Sequence, residues 1–147
     1  MRAVIQRVTH ASVAIDGKIK SEIKAGLLVL LGIEENDTQQ DIDWLVKKII
    51  QMRIFSDADG KMNLSVQDIN GDILVISQFT LFASTKKGNR PGFTRSARPD
   101  IAIPLYEQFL SDMQTQFGKE IYSGEFGADM KVELLNDGPV TIIIDSR

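Results

Sequence analysis

Residues 73–83 read "ILVISQFTLFA", an apolar run from Ile73 to Ala83 with Ser77, Gln78 and Thr80 set inside it. "NGD" (Asn70–Asp72) precedes the run and "STKKGN" (Ser84–Asn89) follows, so turn-forming residues bound it on both sides. A bounded apolar run of this kind marks a strand covered on both faces. An unpaired amide or hydroxyl buried in such a strand costs roughly 1–3 kcal/mol, so the three polar residues need a purpose. In an ideal strand Gln78 and Thr80 face one side while Ser77 and Phe79 face the other. For all four to line one pocket, the strand must end or bulge there.

Toward the N-terminus, "GLLVLLGI" (Gly26–Ile33) reads as a second buried strand. "NDTQQDIDWLVKKIIQMR" then reads as a helix that Asp37 or Thr38 can cap, with acids in its first turn. Ile42, Leu45, Val46, Ile49 and Ile50 form its apolar stripe. "RIFSD" is a short strand. "DADGKMN" (Asp57–Asn63) is faintly similar to a calcium loop, but its glycine comes two positions early and no glutamate closes it. It reads as a turn, and no metal is expected. Before these elements, Met1–Val8 and Ala11–Ile15 read as two short strands with His10 in a turn between them. Asp16-Gly17 is a two-residue hairpin turn into "KIKSEI".

Toward the C-terminus, "RPDIAIPLYEQFLSDMQTQFG" reads as a second helix with Pro99 near its start and Pro104 early enough to be tolerated. Ile103, Tyr106, Phe109, Leu110 and Met113 are expected on one face. Two or three strands close the chain, from "KEIYSGEFG", "ADMKVELLND" and "VTIIIDS". The order of elements predicts an α+β fold with a mixed, largely antiparallel sheet and two main helices. With no repeat, low-complexity tract or linker, residues 1–147 are expected to form one domain.

At 147 residues, 43% hydrophobic and 25% charged, the composition is that of a soluble globular protein. The longest apolar stretch is too short to span a bilayer, and the alternating N-terminus lacks the pattern of a signal peptide, so a cytoplasmic location is expected. There is no cysteine and one histidine, His10. That excludes disulfides, thiol nucleophiles and zinc sites built on Cys and His. A Ser-His-Asp triad would have to use His10, which reads as a turn residue. An enzyme with this sequence works without the usual base, and no cofactor is expected.

Charge is uneven. Ser84–Pro99, "STKKGNRPGFTRSARP", holds Lys86, Lys87, Arg90, Arg95 and Arg98 and no acid, leaving 12 cations against 20 acids elsewhere. Such a loop is either a solvated segment paired with nearby acids or a local anion-binding feature. Its departure from the end of the polar-interrupted strand favours the second. A further unusual stretch is "NDGPVT" (Asn136–Thr141). Asn-Asp-Gly is ordinary turn chemistry, but Pro139 cannot donate to the ladder that Val140 joins. An X-Pro bond holds cis for only about 0.5–1 kcal/mol, and Gly138, lacking a Cβ, lets its own and the Pro139 carbonyl approach a ligand.

"SQFTLF" and "NDGPVT" together resemble the signature pair of the D-aminoacyl-tRNA deacylases. The resemblance extends through "MRAVIQRVTHASV", "GLLVLLGI", "DWLVKKIIQMRIFSDADGKMNLS", "RPGF" and "FGADMKVELLNDGPVT". It implies a barrel-like sheet, a homodimer, and hydrolysis of D-amino acids from tRNA, together with glycine mischarged on tRNA for alanine. By the same resemblance Ser77, Gln78, Phe79 and Thr80 form the wall of the catalytic pocket. Gly138 and Pro139 form a Gly-cis-Pro element reaching into the other subunit's pocket, and Arg7 anchors that element. Phe126 and Met130 lie around the terminal adenosine. Lys86, Lys87, Arg90, Arg95 and Arg98 are the candidate tRNA contacts.

Two mechanisms stay open at this level. Backbone N–H groups near Phe79 and Thr80 can stabilise the oxyanion while the ribose 2′-hydroxyl assists water, or Thr80 acts as nucleophile with no evident activating base. A non-catalytic nucleic-acid-binding or regulatory module is the alternative of a different class.

Overall fold

The computed structural model describes residues 1–147. The chain runs β1 (Arg2–Ile15), β2 (Lys18–Ile23), β3 (Gly26–Gly32), α1 (Gln39–Gln51), β4 (Phe55–Ser56), β5 (Met62–Leu64), β6 (Asp72–Ser77), a 3-10 turn (Phe79–Phe82), α2 (Pro99–Phe117), β7 (Tyr122–Ser123) and β8 (Lys131–Asp145). β8 runs antiparallel along one edge of β1. The other edge pairs antiparallel with β3 through Arg2–Val8 and then with β2 through Ala11–Ile15. β3 continues in parallel to β6, and β6 to β7. The path curls until β7 faces β2, where Ser21 Oγ and Lys20 Nζ donate to the Ser123 carbonyl at 2.7 and 3.0 Å. The sheet is thus mixed, largely antiparallel and nearly closed into a barrel.

This curvature explains the unbroken apolar runs. Leu28, Leu74 and Ile76 point into the barrel beside Val8, Ala11, Val13 and Ile23. Their neighbours Leu27, Val29, Leu31, Ile73 and Val75 point outward beneath the apolar faces of α1 and α2. β3 and β6 are covered on both sides, and each fully buried Leu or Ile contributes about 1.5–3 kcal/mol.

Two expectations of a chain break are corrected. β1 does not stop at His10; it is one strand whose register against β8 steps from Val8↔Asn136 to His10↔Leu135, so Thr9 is an extra residue. A one-residue bulge exchanges the two faces of a strand. Ala3 and Ile5 accordingly face the helices, while Ala11 and Val13, also odd-numbered, face the barrel interior. The two runs were legible as strands, but their phase change marks a bulge rather than a turn. Likewise "ADMKVELLND" and "VTIIIDS" are one strand, β8, and "NDGPVT" is an outward bulge within it.

Thr38 is the cap of α1. Its hydroxyl accepts from Gln40 N, and the Asp41 carboxylate accepts from Thr38 N at 2.8 Å, closing a capping box. Asp37 is turned inward, accepting from Glu34 N at 2.7 Å and from the Met1 amino group at 2.5 Å. Pro99 opens α2, whose buried face is Ala102, Tyr106, Phe109, Met113 and Phe117. Ile103, expected on that face, is exposed, because Ala102 takes the inward position one residue earlier. Asp57 Oδ1 accepts from Asp59 N and Lys61 N and forms the turn between β4 and β5.

Candidate active site

β6 ends at Ser77, the first of the two outcomes, an end or a bulge, expected there. Gln78 still donates its N–H to Leu31 O at 2.8 Å, after which the chain folds into the 3-10 turn. Gly32 makes room for that turn, since a Cβ there would lie 3.0 Å from Phe82 Cε2 and 3.2 Å from Leu81 Cβ. The turn buries Phe82 and leaves Phe79 56% exposed. The N–H groups of Phe79 and Thr80, at its start, donate to no backbone or side-chain acceptor, and Gln78 supplies no cap.

The turn is held from several sides. Arg2 Nη1 donates to Leu81 O at 3.1 Å while its other nitrogens grip Asp145 at 2.7 and 3.2 Å. Ser96 Oγ donates to Phe79 O at 2.8 Å, and Phe93 meets the Phe79 ring edge-on at 5.1 Å. Because a trans peptide points its C=O and N–H in opposite directions, the Ser96 bond leaves the Thr80 N–H facing away from the loop. The guanidinium groups of Arg2 and Arg95 each lie 5.1 Å from the Phe82 ring centroid. Arg2, Gly32, Phe93 and Ser96 were not singled out from the sequence, because nothing local marks a side chain whose role is to hold a turn distant in the chain.

Beside the turn lies a groove of about 300 Å³. Ile76, Ser77, Gln78 and Phe79 form one wall; Phe126 to Met130 and Val132 form the other. Phe126 packs at 5.8 Å against the ring of Tyr106, whose hydroxyl donates to Val75 O at 3.2 Å and whose ionisation burial opposes. Thr80 stands exposed beside the groove, its hydroxyl hydrogen-bonded by the Gln78 amide. No histidine, lysine or carboxylate hydrogen-bonds the Thr80 hydroxyl; His10 is exposed on β1, its ring bonded only to the Thr9 hydroxyl.

The β8 bulge stands apart from this groove. Gln6 pairs with Thr141 and Val8 with Asn136, so Asp137–Val140 all stand opposite Arg7. Arg7 Nε donates to Asp137 O at 2.9 Å and Nη1 to Ile54 O at 2.7 Å. Asn136 Oδ1 accepts from Val140 N at 2.9 Å and closes the bulge from within. The Gly138-Pro139 peptide is cis, and both residues are exposed. Gly138 has φ +139°, and a Cβ there would lie 2.8 Å from Val140 Cγ2 and 3.0 Å from Arg7 Nη2. Neither residue lines the groove of its own chain.

The basic loop is a hairpin closed by Ser84 N to Gly92 O at 2.8 Å and Gly92 N to Ser84 O at 2.9 Å. Lys86, Lys87 and Arg90 sit at its exposed tip without an acidic partner. Arg95 and Arg98 lie at its base, paired with Glu34 at 2.6 Å and Glu35 at 3.3 Å.

The sequence profile of the family described as D-Tyr-tRNA(Tyr) deacylase matches residues 4–145. The chain is similar to the D-aminoacyl-tRNA deacylases of Bacteroides fragilis (strain YCH46), at 64% identity, and of Flavobacterium johnsoniae, at 62%. Each alignment covers 100% of this chain and 98% of the relative. Among solved structures, the c-Myc DNA Unwinding Element Binding Protein superposes with a TM-score of 0.95 at 43% identity, covering 100% of this chain and 99% of that one. The fold alone is shared, at TM-score 0.84 and 17% identity over 97% of both chains, with "a probable eukaryotic D-amino acid tRNA deacylase". By profile and by identity over its full length, the chain belongs to the D-Tyr-tRNA(Tyr) deacylase family.

Proposed function

We propose that this chain hydrolyses the ester joining a D-amino acid to the 3′ end of tRNA, and with it glycine mischarged on tRNA for alanine, as translational proofreading. The observation that carries the mechanism is the pair of unpartnered N–H groups, Phe79 and Thr80, beside a groove whose one titratable lining residue, Asp129, is paired with Lys131 at 3.2 Å. An aminoacyl ester is activated by the neighbouring ribose hydroxyl, so fixed donors for the oxyanion and an oriented ester suffice. The 2′-hydroxyl assists the attacking water. Thr80 is disfavoured as nucleophile because its hydroxyl meets an amide, not a base.

Ser77, Gln78, Phe79 and Thr80 form the catalytic wall, and Phe126 and Met130 seat the terminal adenosine. Gly138 and Pro139, exposed on a bulge pinned by Arg7, reach the groove of a second copy, so the working enzyme is a homodimer. Their carbonyls hold the α-amino group and leave no room for an L side chain, which rejects by overlap. Glycine has no side chain to reject. Lys86, Lys87 and Arg90, with Arg95 and Arg98 behind them, meet the tRNA phosphates. On this reading the enzyme, residues 1–147 as one domain, acts in the cytoplasm without a cofactor; no helix is long and apolar enough to cross a membrane.

The test is ester loss from D- and L-tyrosyl-tRNA in parallel, where only the D form should be cleaved; equal cleavage of both sinks chiral selection. Thr80→Ala should keep appreciable turnover, while tRNA ending in 2′-deoxyadenosine should be a poor substrate. The reverse pair of results makes Thr80 the nucleophile. A binding module without chemistry is the second reading, favoured by the DNA-binding name of the 43%-identical structural relative. Salt-sensitive binding of nucleic acid with no ester loss from either enantiomer would select it.

A further inference from the structure

Gly124 lies just after β7, buried, with its N–H donated to Val75 O at 3.3 Å. Its φ is outside the positive range, so the backbone itself would accept any residue. Space would not. A Cβ at Gly124 would fall 2.3 Å from Met130 Sδ and 3.2 Å from Ile76 Cδ1. Both of those side chains line the groove, while Gly124 does not.

We propose that Gly124 is a specificity-determining residue: by leaving its own side-chain space to the Met130 thioether, it holds the groove open for a flat heterocyclic base. The proposal rests on the reading of this groove as the seat of the terminal nucleoside and adds the residue that sets its depth. Ile76 is fully buried in β6 within the packed barrel and cannot retreat. Met130 can, because methionine has three rotatable side-chain bonds and adapts to its surroundings. With the barrel interior filled by Leu28, Leu74 and Ile76, a thioether displaced from Gly124 moves into the groove. At about 300 Å³ the groove is at the small end of ligand pockets, so one intruding group excludes a base. The 3-10 turn and its N–H donors are untouched, and such a loss falls on binding rather than on the chemical step.

The experiment compares the full-length wild type with Gly124→Ala, Met130→Ala and the double variant, using D-tyrosyl-tRNA. Gly124→Ala should raise KM by about tenfold, the low end of what one methylene of misfit costs in an apolar pocket, with kcat little changed. Adding Met130→Ala should bring KM back to that of Met130→Ala alone, a rescue that damage to the fold would not show. An unchanged KM in Gly124→Ala overturns the proposal, as does a loss that Met130→Ala fails to suppress. Should Gly124→Ala not fold, the double variant against Met130→Ala decides: equal KM supports the proposal and a raised KM overturns it. Titration of all four proteins with adenosine 5′-monophosphate, followed by methionine-methyl NMR, separates this proposal from the functional reading. If the wild type cleaves no ester, weaker nucleotide binding in Gly124→Ala, restored in the double variant, still supports it. Equal or absent binding throughout overturns it.

Discussion

Arg7 and Gly138 are the clearest case of single residues shaping the candidate site. Arg7 spends its guanidinium on two main-chain carbonyls, Asp137 and Ile54, and so fixes the bulge to the body of the protein. Gly138 is required twice over, by its φ of +139° and by the closeness of Val140 and Arg7. Gly138→Ala forces a strained backbone or a displaced bulge. Strain of this kind costs about 1–3 kcal/mol, so Tm should fall by several degrees. D-tyrosyl-tRNA cleavage should fall at least about tenfold, since each 1.36 kcal/mol of lost transition-state stabilisation is a factor of ten. A scanning calorimetry trace and an initial-rate assay check both, and unchanged activity with a lowered Tm would separate the bulge from catalysis.

Among elements, β1 has the most consequential irregularity. Its bulge at Thr9 turns Ala11 and Val13 into the barrel after Ala3 and Ile5 have faced the helices. Deleting Thr9 and His10 together would remove the bulge and place Ala11 directly after Val8, pointing Ala11 and Val13 out of the barrel. That double deletion should abolish cooperative folding, whereas deleting Thr9 alone, which leaves Val8↔Asn136 and His10↔Leu135 as consecutive pairs, should keep a cooperative transition; urea denaturation followed by circular dichroism distinguishes them. A well-folded double deletion would show that the phase of β1 is dispensable. The 3-10 turn shows how far an element was legible. That the strand had to end or bulge near Ser77 followed from four neighbouring residues needing one pocket. The clamp on the turn did not, because Arg2, Gly32, Phe93 and Ser96 reach it from β1, β3 and the basic loop.

For the whole molecule, carboxylate pairs tie the C-terminal end to earlier elements. Hydrogen bonding from Arg147, aided by Ser146 and the Thr38 amide, holds Asp41 far below the usual carboxylate range against the opposing effect of burial. Arg2 holds Asp145 down in the same way. A carboxylate whose folded pKa is depressed contributes stability that is complete above its unfolded value, about 3.9 for Asp, and is lost as pH falls through the folded value. The urea midpoint should therefore hold between about pH 7 and 5 and decline below about 4. Asp41→Asn should start lower at neutral pH and decline less steeply in acid. Parallel curves for the two proteins would remove Asp41 from the account.

Local pattern determined both helices, the Asp16-Gly17 hairpin and the apolar runs that became strands, because periodicity and turn chemistry act over a few residues. The paired motifs, "SQFTLF" and "NDGPVT", carried the family. Tertiary structure alone decided that two broken runs are each one continuous strand, since a bulge is defined only against the register of its partner. It alone brought Ile76 and Met130 to the two walls of a groove with Gly124 packed behind them, and set Gly138 and Pro139 outside the groove of their own chain. Such contacts join residues far apart in sequence, and depend on how the sheet curls rather than on any segment by itself.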